Sequence, residues 1–428
     1  MIDPQAKPAA YIKLLALVVV LGLISALVTF AFMALVGVGT GAIWDQAAQA
    51  LGMDTRLFTL LICALGGLLV GLLVKLFGDH NAIFAELMQE FGKTGRFDYR
   101  HAPGIVITAF VSLIAGGSLG PEAPLADACG GIGTLMADKL KLDEQQTRTL
   151  GYSGVSAMLA SFITEPVGGA ILGLESAHGS TDGKQTYFWI LFPSLLASAV
   201  ATVTFVMLSG QFFATLYQFP DYTPLLRDLF YAAPLGFVGA LVGLLFMLAL
   251  QRLRQLLQPM KGHVVLRGLL GGLAMGIIGA LLPLTLFSGE EQTLELINHA
   301  AEIGVLMLIV LALVKLFVTA LLLTTGWKGG YIFPIMFASA ALGLAANLLF
   351  PGIPVAVAVA ATMAGALVAA LRAPLFAVLF PLVLVQKETA AVIAVAVVVG
   401  ALLTALLALR AARRAAAQAQ SVSPAGPA

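Results

Sequence analysis

Six stretches of this chain, residues 14–38, 57–77, 188–207, 233–250, 269–286 and 305–323, are long and apolar enough to cross a lipid bilayer. A spanning helix takes about 20 such residues. No soluble fold could hide them: 60% of the 428 residues are hydrophobic, 11% are charged, and mean hydropathy is +0.99. The same arithmetic excludes a disordered chain, which requires low hydrophobicity. The first run is too long for the core of a signal peptide, lacks a small-residue cleavage site and is followed by further spans, so it is expected to be retained. Net charge is +1, which leaves no field to recruit nucleic acid. Cys63 and Cys129 sit in apolar runs with no metal or disulfide spacing, and the five histidines form no His-x-x-x-His pair. Neither a cofactor nor a metal is implied.

Other apolar segments are short and interrupted by Gly or Pro: 105–115, 166–174, 332–350 and 354–371. Irregular backbone at membrane depth survives only where protein or a water-filled cavity satisfies it, and broken segments in matching positions of two halves point to a transport site. Such matches exist. Gly116-Gly117-Ser118-Leu119-Gly120-Pro121 and Gly329-Gly330-Tyr331-Ile332-Phe333-Pro334 each precede a helical run, with their prolines 213 residues apart. Glu165-Pro166 and Ala373-Pro374 open further runs 208 residues apart, which suggests an internal repeat of about 200 residues. Arg252, Arg254, Lys261 and Arg267 crowd one loop, and Glu290, Glu291, Glu295 and Glu302 another. The positive-inside rule puts the basic loop in the cytoplasm. Lys7 and Lys13 at one end, and Arg410, Arg413 and Arg414 at the other, put both termini there too.

Gly120 admits an unusual backbone angle, and Pro121 is preset for the first turn of a helix. The helix then starts abruptly, with its first amides unpaired and a partial positive charge at its end. Such an end holds an anion without placing a full cation in the bilayer. Gly330 and Pro334 repeat the device. Two such starts converging at the midplane would make an anion site of backbone N–H groups.

At these residues the sequence resembles the CLC family of chloride channels and proton-coupled chloride transporters. The family's Gly-Lys/Arg-Glu-Gly-Pro signature matches Gly117-Ser118-Leu119-Gly120-Pro121 at three of five positions, and its Gly-x-Phe-x-Pro signature matches Gly330-Tyr331-Ile332-Phe333-Pro334 at the Gly and the Pro. The 161–175 segment resembles the family's helix with an internal proline and downstream acid, and Leu371-Arg372-Ala373-Pro374-Leu375 its counterpart in the second half. The resemblance runs from Lys13 to Arg414. It implies an all-α fold of two inverted-topology halves with tilted and broken helices, assembled as a homodimer with one pore per subunit. It also implies that the amides of Tyr331 and Ile332 bind the central anion, and that those of Leu119 and Gly120 face the outer pathway.

The departures bear on mechanism. The family's gating and proton-carrying glutamate falls on Leu119. Its second, cytoplasm-facing glutamate lies ten residues past the internal proline, at Ser176, with Glu175 one position earlier. No tyrosine follows Tyr331, although the family's pore tyrosine lies near the chain's end. The family's first-half serine motif falls near Gly78-Asp79-His80-Asn81-Ala82. Glu122, three positions beyond Leu119, is either a carboxylate at a helix start or a relocated gate. Asp79 should cap a helix, pair with a base or be protonated; it, His80 and Asn81 are otherwise candidates for substrate selection. Glu165, Glu175 and Arg372 are intramembrane ionisable residues, and a Glu165–Arg372 pair across the halves would be structural. Asp127 and Cys129 are read as packing residues, Trp44, Trp189 and Trp327 as an aromatic belt, and Lys328 as an anion-steering or headgroup-binding cation.

The expected organisation is a cytoplasmic segment (1–12), a first membrane half (13–215), a linker (216–228), a second half (229–412) and a disordered tail (413–428). The compact chain, with no soluble regulatory domain, fits a bacterial inner (plasma) membrane protein. Because leucine carries no proton, the expected function is passive transport of small inorganic anions, chloride foremost. The alternatives are a proton-coupled antiporter that uses a displaced carboxylate such as Glu122, and a non-transporting sensor or scaffold. An intramembrane enzyme is the remotest reading, since no nucleophile–base pair stands out.

Overall fold

The computed structural model describes residues 8–80, 83–175, 186–212 and 216–422. Among these residues the fold is helical, with one isolated antiparallel bridge between Gly120 and Gly330 and no strand. The first half contains α1 (Pro8–Thr40), α2 (Thr55–Phe77), α3 (Phe84–Thr94), α4 (Ala102–Ile114), α5 (Glu122–Leu140), α6 (Glu144–Ile163), α7 (Pro166–Glu175) and α8 (Phe192–Ser209). The second contains α9 (Leu226–Leu257), α10 (Val264–Leu281), α11 (Glu290–Thr324), α12 (Ile332–Leu349), α13 (Val355–Leu371), α14 (Pro374–Leu384) and α15 (Ala390–Val422).

The repeat extends to single backbone angles. Gly116 and Gly326 precede the two motifs with φ of 84° and 97°, and Thr164 and Arg372 end α6 and α13 with φ of 48° and 56°. A left-handed residue stops each helix, and the following Glu165-Pro166 or Ala373-Pro374 starts the next. Helix α11 corresponds to α3 and α4 together and shows the join as non-helical angles at His299 and Gly304.

Among the described residues, six of the eight helical stretches long and apolar enough to span a membrane overlap the six read from sequence; the others are 332–349 and 387–414. Helix α6 is not among them, because protein rather than lipid surrounds it. Its Thr, Ser and Gly side chains are buried from Thr149 through Ile163, so it needs no apolar exterior. Helices α12 and α13 are enclosed in the same way. Two boundaries depart from expectation. Helix α9 begins at Leu226, inside the expected linker. Helix α15 runs to Val422, well into the expected tail, since alanine and arginine are strong helix formers. Residues 1–7 and 423–428 lie outside the described chain.

Small residues bring the halves together. Where α2 crosses α10, a Cβ on Gly67 would lie 2.8 Å from the Gly272 Cα, and one on Gly272 would lie 2.9 Å from the Gly67 Cα. Close backbone approach of this kind is how helices associate where lipid offers no hydrophobic drive. A buried cation pins the turn between α10 and α11. Lys315 Nζ donates to the carbonyls of Thr285, Leu286 and Phe287 at 3.1, 3.0 and 2.8 Å and lies 5.0 Å from the centroid of the Phe337 ring. Phe287 in turn donates its N–H to Gly116 O at 3.2 Å, which ties this turn to the first motif.

Two outcomes follow for stability, both measured by SDS unfolding. Gly272→Leu should cost about 3 kcal/mol or more through overpacking, whereas Gly262→Leu, with nothing within 4 Å, should cost little. Lys315→Met leaves three buried carbonyls without their donor and should cost about 3 kcal/mol or more; Lys315→Arg should recover part of the loss.

Candidate anion-transport site

The two motifs meet. Gly120 N donates to Gly330 O at 2.9 Å, and Gly330 N donates to Gly120 O at 2.6 Å. Helices α5 and α12 therefore begin on either side of one short antiparallel bridge, each with unpaired N–H groups in its first turn. The Glu122 carboxylate lies over this bridge. Its Oε1 accepts the Ile332 N–H at 2.7 Å, and the N–H groups of Phe333 and of Glu122 itself also act on it. A Cβ at Gly120 or Gly330 would run into that carboxylate, so both positions have to be glycine for it to fit. Glu122 is 1% exposed and its Oε2 has no partner. A carboxylate from the first half thus fills the helix start of the second.

The remaining motif residues line or support this place. Leu119 is fully buried against Gly329. Ser118 turns away: its Oγ lies 3.0 Å from Thr319 Oγ1, which donates to Ser118 O at 2.9 Å. Gly117 N donates to Ser112 O at 3.0 Å, and Pro121 caps α5. The Tyr331 ring packs on Phe246 with centroids 5.0 Å apart, and its buried hydroxyl has no partner. Phe333 meets Phe162 edge to face at 4.9 Å, and Pro334 is buried in the first turn of α12.

Asp79 and His80 form a neighbouring group beside the second motif. The α3 cap is Ile83, so Asp79 caps no helix. It pairs instead with the Arg267 guanidinium and, at 3.2 Å, with Lys328 Nζ, which also donates to His80 O. Burial penalises the Asp79 charge, but Lys328 and Arg267 outweigh it and hold the carboxyl below its ordinary range. The pairing therefore adds stability above the unfolded value, lost only as pH falls through the lowered one. His80 stacks on His101 with ring centroids 3.7 Å apart, and His101 Nδ1 is 2.8 Å from Asp98 Oδ2. Asp79, His80, Arg267 and Lys328 border a cavity of about 380 Å³ that Glu86 and Arg254 also line.

The acids at the far ends of the short helices have structural partners. Glu165 accepts from Val167 N at 2.9 Å and from Gly168 N, capping its own helix rather than pairing with Arg372. Glu175 accepts from Leu375 N at 2.6 Å and Phe376 N at 2.9 Å, so it caps α14 across the halves. Ser176 and Asn81 lie outside the described residues. Asp127 and Cys129 are buried, as packing residues would be, although Asp127 Oδ2 has no partner.

Trp327 is 1% exposed and its indole donates to Gly268 O at 3.1 Å, so it belongs to the interior and not to an aromatic belt. Lys328 is likewise buried on Asp79 instead of facing lipid headgroups. Sequence reasoning missed Lys315 and the pairing of Arg267 with Asp79. A lysine inside the apolar run 305–323 was the available signal for the first. Arg267 had served only as one of the loop's charges.

Comparisons with known proteins agree with this architecture. A slow cyanobacterial Cl−/H+ antiporter superposes with a TM-score of 0.81 at 22% identity, over 92% of this chain and 95% of its own. A CLC-type fluoride/proton antiporter gives 0.77 at 19% identity, over 94% and 97%. "Putative ion-transport protein YfeO" of Escherichia coli O1:K1 / APEC is 26% identical over 367 residues, which is 83% of this chain and 84% of the relative. The same protein of Salmonella paratyphi A (strain ATCC 9150 / SARB42) is 26% identical over 370 residues, or 83% and 85%. The voltage gated chloride channel family model matches residues 66–406, and the chain belongs to the CLC family of anion-transport proteins.

Proposed function

We propose that this protein moves small inorganic anions, chloride foremost, across the membrane, and that a proton on Glu122 takes part in each passage. The observation that carries this reading is the Glu122 carboxylate on the Ile332 amide, 2.7 Å away. A free anion and this carboxylate need the same helix start, and two like charges cannot share it. A proton on Glu122 removes its charge and weakens its hold on the amides, which then become available to the anion. Proton and anion thereby depend on one another at a single place.

Leu119 cannot perform this exchange. Glu122 supplies a carboxylate three residues further on, in the first turn of α5, so the passive transport expected from Leu119 gives way to the proton-linked alternative. The two antiporters of similar fold lend support, since one exchanges chloride and the other fluoride for protons. The central anion site would be the Gly330–Phe333 backbone, with Gly117–Pro121 on the other side of the bridge. Glu175, engaged in capping α14, has a structural role in this reading.

Arg252 and Arg254 near the end of α9, Lys261 after it and Arg267 in the first turn of α10 support a reading in which the Asp79 side of the protein faces the cytoplasm under the positive-inside rule. The reading extends to a homodimer in the cell's inner (plasma) membrane with both termini cytoplasmic.

Proteoliposomes loaded with chloride or fluoride, with external pH recorded as anions leave, test the function. The native protein should release anions together with protons, and faster at acid pH, where protonation clears the helix start. Glu122→Gln should retain anion flux, lose proton movement and bind the anion about tenfold more tightly, equivalent to about 1.4 kcal/mol. Proton movement unchanged in Glu122→Gln sinks the assignment. Anion release that moves no protons in the native protein returns the reading to passive conduction, and no release of any anion leaves the scaffold.

A further inference from the structure

We propose that the mouth beside the second motif is a separate binding station for planar oxyanions, with Arg267 and Lys328 as its cationic walls and Asp79 as a built-in occupant. This deepens the anion-transport reading and rests on it, but it concerns a different place from the Gly120–Gly330 bridge and a different chemical preference.

Burial places the charges in two layers. Arg267 is 7% exposed and Lys328 5%, whereas the Asp79 side chain is 33% exposed. The two bases thus lie deeper than the acid, and all three line the cavity of about 380 Å³, with Asp79 the most exposed of them. Side-chain rotation alone would carry Asp79 off its partners into that space. The two buried cations would then lack a counter-charge, a state too costly to persist unless an anion enters. The Nε of Arg267 already has no hydrogen-bond partner, so the guanidinium has a donor in reserve.

The wall favours an incoming anion. Arg254, Lys261, Arg267 and Lys328 line the cavity against the two acids Asp79 and Glu86, a surplus of two positive charges. Lys261 is exposed and takes part in none of the ion pairs.

The resident group indicates the preference. A carboxylate is flat, with two oxygens, and here one oxygen faces a guanidinium and the other an ammonium. Guanidinium groups match planar oxyanions through paired N–H donors, a fit that a spherical halide cannot use. Formate, nitrate and bicarbonate have the shape of the group they would replace. The station also adjoins the central site: Lys328 N donates to Ser112 Oγ at 3.1 Å, and Lys328 stands two residues before Gly330. An oxyanion that displaces Asp79 would sit next to the backbone leading into the bridge.

Chemical rescue tests the station without any transport measurement. Asp79→Ala should melt several degrees below the native protein in detergent. Formate or nitrate should restore most of that difference at concentrations on the order of 100 mM, since such linkage grows with the logarithm of ligand over Kd. Chloride at matched ionic strength should restore much less. The native protein should show the same oxyanion order with a much smaller response, because there the anion first has to displace Asp79, and a native protein that does not distinguish formate from chloride overturns the proposal. Asp79→Ala with Lys328→Met should lose the rescue. If Asp79→Ala cannot be purified, Asp79→Ser provides the same readout. Equal rescue by chloride, or no rescue by formate, overturns the proposal. Failure of the wider transport reading would appear instead as absent flux from the native protein, whatever the melting curves show.

Discussion

Two reciprocal hydrogen bonds between Gly120 and Gly330 govern the interior of this protein. They hold two helix starts together in the middle of a membrane protein, where unpaired backbone N–H groups cannot turn to water. Everything nearby follows from the need to satisfy them. Glycine at both bridge residues leaves the room that the Glu122 carboxylate occupies, and a Cβ at either would displace it from there. The strands of chain leading to the bridge turn at Gly116 and Gly326, at positive φ that glycine adopts without strain. Lys315 fixes the adjoining turn through three carbonyls, so even a distant cation serves the same geometry.

Glu122 shows how a site can keep its electrostatics while its sequence pattern changes. The helix start at Ile332 requires something negative, and the chain provides it from the opposite half. A carboxylate at position 119 would reach the bridge from the turn that precedes α5. A carboxylate at position 122 reaches it from the first turn of α5 itself. Leu119 then becomes a packing residue against Gly329. The amides at the start of α12 thus receive their negative charge from Glu122 on the first turn of α5.

Which features were legible in the sequence depends on where each is encoded. Glycine and proline act locally, so the helix starts and the offset near 210 residues could be read directly, whereas the left-handed stops at Thr164 and Arg372 carry no such residue. Most lipid-facing helices, though not the one at 387–414, were equally legible, since each must be apolar by itself. Helix α6 was not, because its partners are other helices and its Thr, Ser and Gly residues carry no hydropathy signal. The partners of charged groups were the least legible. Asp79 and Lys328 are 249 residues apart, and nothing local to either foretells the other. The same holds for Glu175, whose N–H donors lie across the halves on α14 and convert an apparent proton carrier into a cap.

The two principal carboxylates use different chemistry to do comparable work. Glu122 rests on backbone amides, which are partial charges fixed by helix geometry and cannot move away. Asp79 rests on two side-chain cations, which are full charges on flexible stems, buried behind it. An amide cage discriminates weakly among small anions and depends on the dehydration each anion can bear. A guanidinium and an ammonium flanking a flat carboxylate discriminate by shape. An anion crossing between these places would therefore meet selection by shape at the mouth and competition with a protonatable group at the centre. Separating the two functions allows each to change independently, since substitutions around Asp79 leave the Gly120–Gly330 bridge and its carboxylate in place.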